Sequence, residues 1–428
     1  MKLLNVDTIE QVKEKIHNYF SSYKPKTEKV FIRHAVGRYM AQEILSDIDM
    51  PQFRRSVVDG FAVVSKDTFG VSESIPVFLD VVGAVEMGQE SDIVLKQGQA
   101  VYVPTGGMIP EGADAVVMIE HVEKLDDKVI AVYKAASPNN GVMNQGDDFK
   151  SGELLYKKGH IITKKDIGML AAVGCSEITV YKKPIVSIIS TGDEIIEITN
   201  NPKIGQIRDI NSYTIAAFSE DTGAEIGSIE KVKDKKENLI KAVSKAIINS
   251  DIVLLSGGSS AGNKDMTAEV IEEMGSPGVI THGVAMKPGK PTIIGVIKTN
   301  DKNNGDKSNQ NKLVVGLPGH PMAAIIVYKT LVDTFIRKYY FNNEEQPICI
   351  SASISENLHA GEGRETFQLV TLEDKDVNSS NQVKFIARPI HAKSGSISQL
   401  KYADGYIRMS NLCEGVKSGE IVKVMLFY

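Results

Sequence analysis

Cysteine is scarce in this sequence. Only Cys175, Cys349 and Cys413 occur among its 428 residues, and they lie far apart and form no Cys-x-x-Cys pair. This spacing argues against a disulfide framework and against a zinc ribbon. A reducing compartment fits best, and we predict that the protein is cytoplasmic.

Long hydrophobic runs and an excess of positive charge are also missing. No segment approaches the roughly 18 apolar residues of a membrane-spanning helix, and Asp7 interrupts the N-terminal apolar residues too early for a signal peptide. The net charge of −5 provides no general attraction to nucleic acid. We therefore predict neither a membrane nor a nucleic-acid partner, so local cations must meet any anionic ligand.

Length and composition indicate several globular domains. Of the 428 residues, 42% are hydrophobic and 24% are charged, which is typical of a soluble globular chain and not of a disordered one. At about 150 residues per domain, this length predicts two to four domains.

The N-terminal half changes texture along its length. Thr8 suits the N-cap of a helix whose apolar positions recur at helical spacing, namely Ile9, Val12, Ile16 and Phe20. A second apolar pattern surrounds Arg33 and His34, and we predict a packing helix there too. From residue 53 to about 132, short alternating runs separated by Gly, Pro and Asp predict a β-rich domain.

Beyond residue 184, apolar runs alternate with helix-like segments. Runs at 185–189, 226–232 and 252–255 are separated by helical patterns at 213–221 and 237–248. This order predicts right-handed βαβ crossovers and a parallel sheet. The α/β unit continues to about residue 340, with further apolar runs at 278–286, 292–296 and 313–315 and a helical pattern at 322–340.

The C-terminal part again alternates in the manner of strands. Residues 347–428 are broken by Gly and Asn turns, which predicts a small closed β-domain. The polar segment 299–312 has too little apolar surface for burial to offset the conformational entropy that ordering would cost. We therefore predict a surface loop there. The expected fold class is multidomain α/β plus β, with a mostly parallel central sheet, a β-rich second domain and a C-terminal β-barrel.

A glycine-rich turn after the run 252–255 has the layout of an anion cradle. Gly257, Gly258 and Gly262 allow the backbone to approach a ligand with several N–H donors, and a helix-like segment follows. The match to a nucleotide P-loop is partial, because Asn263 occupies the lysine position. The pattern favours a phosphate-type site, with an ordinary strand-to-helix turn as the alternative.

Three more loops follow strands of the same predicted sheet, whose carboxyl ends share one edge. The turn 190–194 suits a cation or a hydrogen-bonded ligand, or is a simple capped turn. In the loop 286–291, two prolines and a glycine stiffen a turn that carries two lysines. His320, in the loop 316–321, is a candidate catalytic group, a structural histidine or a ligand contact.

Outside the α/β unit, three turns attract attention. Asp59 follows Arg54 and Arg55 in a segment that lacks the many polar residues of a free surface loop. Packing alone does not explain an acidic residue at this position. Thr105-Gly106-Gly107 forms another small turn. Asp147 and Asp148 are an acid pair, with a solvated turn as the alternative.

Taken together, these motifs resemble the molybdopterin molybdenumtransferase (MoeA) family, which includes the gephyrin E domain. The resemblance covers essentially the full chain in the family's order. It rests on Ser56-Val57-Val58-Asp59-Gly60-Phe61-Ala62, Thr105-Gly106-Gly107, Pro110-Glu111-Gly112-Ala113-Asp114-Ala115-Val116-Val117, Ser190-Thr191-Gly192-Asp193-Glu194, Ser256-Gly257-Gly258, Lys287-Pro288-Gly289-Lys290-Pro291 and Gly316-Leu317-Pro318-Gly319-His320-Pro321.

The resemblance implies an activity and a domain plan. It implies a cytosolic homodimer that takes adenylylated molybdopterin and molybdate, cleaves the phosphoanhydride with Mg²⁺, releases AMP and yields molybdenum cofactor. Molybdopterin-adenylylating enzymes and molybdoenzymes are further expected partners. Four domains are expected: 1–52 with 141–180, then 53–140, then a molybdopterin-binding α/β domain at 181–340, and a β-barrel at 341–428.

Motif by motif, the resemblance and the loop chemistry together give the expected site residues. Asp59 is expected to reach the cleft of the second copy, and Glu194 and Asp265 to hold Mg²⁺. The expected catalytic residues are Asp59, Asp148, Glu194, Asp234, Asp265 and Lys287. The expected substrate-binding residues are Thr105, Thr191, Ser256, Gly257, Gly258, Lys290, Pro318, Gly319, His320, Pro321, Arg364 and Ser396.

Two departures and two alternatives accompany this interpretation. Gly283 stands where the family often has a lysine, and residues 141–143 replace a common Asn-Ile-Arg run, which weakens the case for Asp148. One alternative is a non-catalytic scaffold of the gephyrin E type, and the other is a molybdopterin adenylyltransferase. The choice between molybdate and tungstate stays open, because both are tetrahedral dianions.

Overall fold

The computed structural model describes residues 6–257, 264–299, 310–345, 347–361, 363–374, 383–391 and 395–427. The chain divides into two compact units. The first comprises Met1–Ala41, Lys158–Thr163 and Glu177–Tyr428, and the second comprises Gln42–Lys157 and Lys164–Ser176. Each unit is described by itself below.

The first unit begins with the helix Ile9–Phe20, as predicted. Thr8 caps it reciprocally with Gln11: the Thr8 hydroxyl accepts from the Gln11 backbone N–H, and the Gln11 side chain accepts from the Thr8 N–H. The apolar stripe Ile9, Val12 and Ile16 is buried. The predicted start and the predicted buried face of this helix are therefore both confirmed.

The helix predicted around Arg33 and His34 is wrong. The segment forms the strand Thr27–Phe31, which pairs antiparallel with Glu177–Tyr181, and only the short 3₁₀ turn Ile32–His34 follows. β-branched Thr27 and Val30 and aromatic Phe31 favour extended backbone once a partner strand is available. That partner lies about 150 residues away in sequence, beyond the reach of a local pattern.

A six-stranded sheet forms the centre of the first unit. Its strands lie in the order Glu225–Val232, Ile185–Thr191, Ile252–Gly257, Gln310–Leu317, Ile293–Thr299 and Pro277–His282. Five of these strands run in one direction, and Ile293–Thr299 runs against them because it pairs antiparallel on both sides. The mostly parallel central sheet is therefore confirmed.

Both faces of this sheet are covered, which explains its apolar strand sequences. Ile252 and Leu254 pack into one core, while Val253 and Leu255 pack into another core on the opposite face. Besides Ile9–Phe20, the described helices of this unit are Asn211–Asp221, Lys236–Asn249, Lys264–Glu273, Pro321–Val327, Asp333–Phe335 and Ser398–Tyr402. Two π-helical segments, Tyr328–Val332 and Ile336–Tyr340, continue the helix that starts at Pro321, and the short strands Ile195–Ile196 and Ile207–Arg208 pair in parallel.

The C-terminal part of the first unit is a closed five-stranded barrel, as predicted. Closure occurs because Glu365–Asp374 pairs with both Phe385–Pro389 and Gly405–Met409. The other barrel strands are Cys349–Ile354 and Ile421–Leu426. The short strand Met286–Lys287 adds to Glu365–Asp374 in parallel, and Leu358–His359 pairs with Gly415–Val416.

The second unit is built on another six-stranded sheet, which confirms the β-rich prediction. Its strands are ordered Ala115–Met118, Gly60–Val63, Gln99–Val103, Val77–Ala84, Val129–Val132 and Val122–Lys124. Arg55–Ser56 pairs with Val142–Met143, and Ile44–Leu45 pairs with Leu154–Tyr156. The remaining helical elements are Lys164–Ala172 and the 3₁₀ turns Ser65–Thr68 and Ile119–His121.

The four-domain division at residues 52, 140, 180 and 340 stays a prediction. Across the described part of the chain, every helix is too short or too polar to cross a bilayer.

Candidate functional site

Loops widely separated in sequence meet at one edge of the central sheet. Because five strands share a direction, the ends of Ile185–Thr191, Ile252–Gly257 and Gln310–Leu317 lie at the same edge. Pro277–His282 also ends there, and the antiparallel Ile293–Thr299 begins there. We name the segments at this edge the acidic turn (190–194), the glycine turn (256–257), the lysine loop (286–291) and the proline loop (316–321).

The glycine turn lies directly against the acidic turn. Gly257 has φ +121°, and a β-carbon built on it would lie 1.9 Å from the Thr191 carbonyl oxygen. Only glycine accommodates both the backbone angle and this approach. The backbones of the two turns therefore lie close together at the strand ends, as a phosphate site built from backbone N–H groups requires.

Asn211 connects the glycine turn to the proline loop. Its Nδ2 donates to Ser256 Oγ at 2.9 Å and to the Gly319 carbonyl oxygen at 2.8 Å. The sequence analysis did not predict this residue, because a long segment without a recognised motif separates it from the strand that ends at Thr191. The signal was the polar run of Asp209, Asn211 and Ser212 at a helix start.

The acidic turn contacts Asp234, which follows the neighbouring strand. Thr191 Oγ1 donates to Asp234 Oδ1 at 3.2 Å, and Asp193 Oδ1 accepts from the Asp234 backbone N–H at 3.4 Å. Gly192 lets the turn fold back, since a β-carbon there would lie 2.9 Å from both Glu194 carboxylate oxygens. Three carboxylates therefore lie in one short stretch of the edge, with Glu194 exposed and Asp234 half-buried.

The lysine loop brings Lys287 beside Arg364 of the barrel. Lys287 pairs in parallel register with Thr366, two residues after Arg364. A β-carbon on Gly361 would lie 3.4 Å from Lys287 Cδ and 3.9 Å from Arg364 Nε, so both side chains approach the same glycine. Lys290 is exposed on the same loop. The arrangement gathers positive charge from two sequence-distant segments.

The lysine loop itself is rigidly folded. Gly289 has φ +120°, and its α-carbon packs against Met286 and Val327, where a β-carbon would lie 2.8 Å from Met286 Sδ. The Thr292 hydroxyl donates to the Gly289 carbonyl oxygen at 2.6 Å. Packing on one side leaves the lysines to face solvent.

The proline loop approaches a second barrel segment. Pro318 is buried, His320 is exposed, and Pro321 occupies the first turn of its helix. Gly395 packs against the imidazole: a β-carbon on it would lie 3.3 Å from His320 Cδ2. The adjacent Ser396 Oγ lies 3.0 Å from Ser398 Oγ. Ser396 and His320 therefore belong to one region of the first unit.

Two predicted residues are not fully described. Gly258 lies outside the described residues, and so does the side chain of Asp265, whose backbone is the second residue of the helix Lys264–Glu273. The structure therefore gives no position for the Asp265 carboxylate.

The donors at this edge suit a hard cation. Glu194 and Asp234 offer carboxylate oxygens, which Mg²⁺ prefers, commonly with one or two carboxylates completed by water and substrate phosphate. Within the described ranges, no group of three His, Cys, Asp or Glu side chains is positioned to hold a metal ion by itself. This donor set fits a magnesium ion shared with a phosphorylated ligand better than an ion enclosed by the protein.

In the second unit, Asp59 and Thr105 are in direct contact. Asp59 Oδ1 accepts from the Thr105 backbone N–H at 2.7 Å. The segments are also joined by the Gly106 N–H, which donates to the Ser56 carbonyl at 2.7 Å, and by the Ser56 N–H, which donates to the Gly107 carbonyl at 2.9 Å. Both Asp59 and Thr105 are exposed. The turns that carry Asp59 and Thr105, which lie 46 residues apart in sequence, are thus joined at the surface by hydrogen bonds.

Asp148 occupies a separate turn of the second unit. Its backbone N–H donates to the Met50 carbonyl at 2.9 Å, and its side chain is exposed. The neighbouring Asp147 accepts from the Asn144 N–H at 2.7 Å, as in a capped turn. No hydrogen bond in the described structure joins Asp148 to Asp59 or Thr105.

The two departures from the family pattern have structural correlates. Gly283 has φ +105°, a conformation that a lysine side chain would strain. Met143, in the segment that replaces Asn-Ile-Arg, lies with its sulfur 3.6 Å from an Arg55 guanidinium nitrogen. An arginine there would place two cations together, whereas methionine does not.

Family profiles match nearly the whole chain. The MoeA N-terminal region (domain I and II) matches residues 7–174, a probable molybdopterin binding domain matches residues 187–338, and the MoeA C-terminal region (domain IV) matches residues 351–427. The three matches follow one another along the chain as N-terminal region, molybdopterin binding domain and C-terminal region.

Curated relatives and solved structures agree with these profiles. A putative molybdopterin biosynthesis protein of Methanocaldococcus jannaschii is 34% identical, covering 96% of this chain and 95% of its own. A molybdopterin molybdenumtransferase of Haemophilus influenzae is 31% identical over 84% of this chain and 85% of its own. A crystal structure of a molybdopterin biosynthesis MoeA protein from Pyrococcus horikoshii superposes with a TM-score of 0.77 at 37% identity, covering 99% of this chain and 100% of that one.

Proposed function

This chain belongs to the MoeA family and takes part in molybdenum cofactor biosynthesis, and we propose that it inserts molybdate into adenylylated molybdopterin with release of AMP. Relatives named molybdopterin molybdenumtransferase make it a transferase of that pathway. The proposal extends to the substrates, the magnesium ion and the residues that act on them.

The observation that carries the proposal is the distribution of charge along one edge of the central sheet. Lys287, Lys290 and Arg364 supply positive charge, while Glu194 and Asp234 supply carboxylates near the glycine turn. Cleaving a phosphoanhydride beside an oxyanion needs cations for the anions, oxygen ligands for a metal and N–H donors for phosphate. The cations and the carboxylates occur here, and the N–H donors are proposed to come from the glycine turn.

Each group has a proposed role. The glycine turn holds the phosphate of the pterin through backbone N–H donors, and Lys287 with Arg364 balances the charge of molybdate and phosphate. Glu194, Asp234 and Asp265 would hold Mg²⁺, which would neutralise charge on the phosphoanhydride. Water attacks one of the two phosphorus atoms, and the bond from that phosphorus to the bridging oxygen breaks. The attacked phosphate keeps the water oxygen, the other phosphate leaves with the bridging oxygen, and the protons of water pass to the products and solvent, so that AMP and the pterin phosphate separate.

The remaining predicted residues act at the rim of this site. Thr191 orients the Asp234 carboxylate through its hydroxyl, and Pro318, Gly319, His320, Pro321 and Ser396 border the pterin nucleotide. We propose further that the enzyme works in the cytoplasm as a homodimer. In the dimer, Asp59, with Thr105 and Asp148 on the same unit, completes the cleft of the other copy.

One incubation tests the activity. Purified protein is mixed with adenylylated molybdopterin, Mg²⁺ and molybdate, and AMP is measured with and without each component. Release of AMP that requires both molybdate and Mg²⁺ supports the proposal. Binding without turnover favours a scaffold, and adenylylation of free molybdopterin from ATP favours an adenylyltransferase.

Two additions sharpen that assay. Tungstate competing against molybdate determines which oxyanion the enzyme prefers. Asp265→Ala is expected to abolish AMP release at saturating substrate, and normal release by this variant would contradict the metal-binding role of Asp265.

A further inference from the structure

Asn211 is a buried amide at the first position of the helix Asn211–Asp221. The residue is only 8% exposed, although this helix starts at the edge that carries the candidate site. Burying a primary amide is costly unless its donors and acceptor are satisfied. The position therefore needs an explanation from its hydrogen bonds.

Both donors of Asn211 leave its own helix. One N–H reaches Ser256 in the glycine turn, 45 residues away in sequence, and the other reaches Gly319 in the proline loop, 108 residues away. The Gly319 carbonyl can only accept, which fixes the orientation of the amide with Nδ2 toward it. Asn211 thus ties three loops of the edge to one planar group.

Helix capping does not account for this residue. Asp209 performs that task, since its Oδ1 accepts from the Ser212 backbone N–H at 3.1 Å. The remaining Asn211 Oδ1 is buried and has no hydrogen-bond partner among the described residues. Among the described residues, Asn211 therefore pairs both donors and leaves its acceptor without a partner, which offsets part of the stability that the two hydrogen bonds contribute.

We propose that Asn211 is a positioning residue that sets the spacing between the glycine turn and the proline loop, and thereby the affinity for the pterin nucleotide. This inference rests on the proposed function of the same edge. Ser256 and Gly257 carry the phosphate cradle on one side of Asn211, and Pro318–Pro321 border the ligand on the other. Without the two hydrogen bonds, each loop relaxes independently and the bound state must restore their spacing.

The inference predicts which kinetic constant changes. The side-chain hydrogen bonds of Asn211 to described residues go to Ser256 and Gly319, and not to Lys287 or Arg364. Molybdate binding is therefore expected to stay within about twofold of wild type. The KM for adenylylated molybdopterin is expected to rise about tenfold, which corresponds to about 1.4 kcal/mol. Asn211→Leu is the best variant, because it nearly keeps the shape of the side chain, removes both donors and adds no charge beside the phosphate cradle.

The experiment compares Asn211→Leu, Asn211→Ala and the matched control Asn249→Ala. Asn249 is an exposed asparagine at the end of the helix Lys236–Asn249, and its Nδ2 donates to the Lys245 carbonyl of that helix at 3.2 Å. KM for adenylylated molybdopterin, KM for molybdate and thermal midpoint are measured for each. The inference is supported if only the Asn211 variants raise the pterin KM, and is overturned if both oxyanion and pterin KM rise equally or neither changes.

A double-variant comparison separates positioning from a general loss of packing. Ser256→Ala removes one of the two partners of Asn211. If Asn211 acts through Ser256, adding Asn211→Ala to Ser256→Ala raises KM at least threefold less than the product of the single effects. Multiplicative effects would show that the two residues act independently and would overturn the inference.

Direct binding keeps this test separate from the test of turnover. Equilibrium binding of adenylylated molybdopterin is measured without molybdate for wild type and Asn211→Leu. Should wild type release no AMP, the proposed function fails, yet a tenfold weaker binding by Asn211→Leu still supports the positioning role. Equal binding by the two proteins overturns it whatever the turnover.

Discussion

Gly257 and Thr191 face each other across adjacent parallel strands, and the space between them cannot hold a side chain. The two residues pair in register, and a β-carbon on Gly257 would fall 1.9 Å from the Thr191 carbonyl oxygen. Gly257 also adopts φ +121°. This contact fixes how closely the glycine turn lies to the acidic turn that carries Glu194.

Substituting Gly257 with alanine is expected to inactivate the enzyme and to destabilise it. The matched control is Gly419→Ala, which has φ +89° but no atom within 4 Å of the new methyl group. The control should cost about 1–2 kcal/mol for the backbone angle alone, and Gly257→Ala should cost about 1–3 kcal/mol more for the collision. Urea unfolding checks the difference, and equal losses would show that the close approach is unimportant.

Removing either cation beside Gly361 is expected to weaken oxyanion use. Lys287→Ala and Arg364→Ala should each raise the KM for molybdate about tenfold, since a charge-assisted hydrogen bond contributes about 1.5–3 kcal/mol. Arg388→Ala, at an exposed barrel arginine paired with Glu373, is the control and should leave that KM unchanged. A molybdate KM that is insensitive to both site cations would remove them from the oxyanion site.

Asp333 is expected to control stability in acid. Its carboxylate is 8% exposed and pairs with Lys329 at 2.9 Å and Arg337 at 2.8 Å. Burial by itself raises the pKa of Asp333, but the charges of Lys329 and Arg337 outweigh burial and hold the pKa below its usual value. Because the folded-state pKa is the lower one, this stabilisation is present above the unfolded pKa and is lost as pH falls through the folded pKa.

Asp333→Asn therefore tests a named acid-sensitive contact. The variant should lose about 3 kcal/mol of unfolding free energy at pH 7, because two partly buried cations lose their partner. Its deficit relative to wild type should begin to shrink as pH falls below the unfolded pKa of about 3.9, because protons then bind the unfolded carboxylate and reduce the wild-type advantage. The exposed Asp127→Asn is the control, and urea unfolding from pH 3 to pH 7 is the measurement. A deficit that does not depend on pH would refute the ion-pair explanation.

Mixing two inactive variants tests whether the site is shared between copies. Asp59→Ala and Asp265→Ala are each expected to be inactive alone. If Asp59 acts in the cleft of the other copy, a mixed dimer contains one intact site, and random exchange should restore about a quarter of wild-type activity. Activity that stays at the level of the separate variants would place Asp59 in the cleft of its own chain, or outside it.

Sequence patterns predicted most of the fold because the decisive signals were local. The capped helix at Thr8, the doubly buried strand 252–257 and the turn-separated strands of the second unit all follow from short-range periodicity and turn chemistry. The predicted helix at Arg33 failed because its outcome depends on a partner strand at Glu177–Tyr181. Similarly, the reversed direction of Ile293–Thr299 comes from antiparallel pairing on both sides, which no local pattern contains.

The site was predictable to the extent that its loops follow parallel strands. Strand order alone brings the acidic, glycine, lysine and proline segments to one edge, so their association could be inferred. Arg364 reaches Lys287 through pairing with the barrel, and Asn211 reaches Ser256 and Gly319 through side-chain hydrogen bonds. Arg364 was predicted only from the resemblance to a family, and Asn211 was not predicted. Contacts of both kinds depend on three-dimensional packing, which local sequence patterns do not contain.

The most direct test of the account is a crystal structure of the protein with adenylylated molybdopterin and molybdate. The predicted result is the pterin phosphate over the Ser256–Gly257 turn, with the oxyanion between Lys287 and Arg364. Ligand density away from the shared edge of the central sheet, with these residues untouched, would contradict the account.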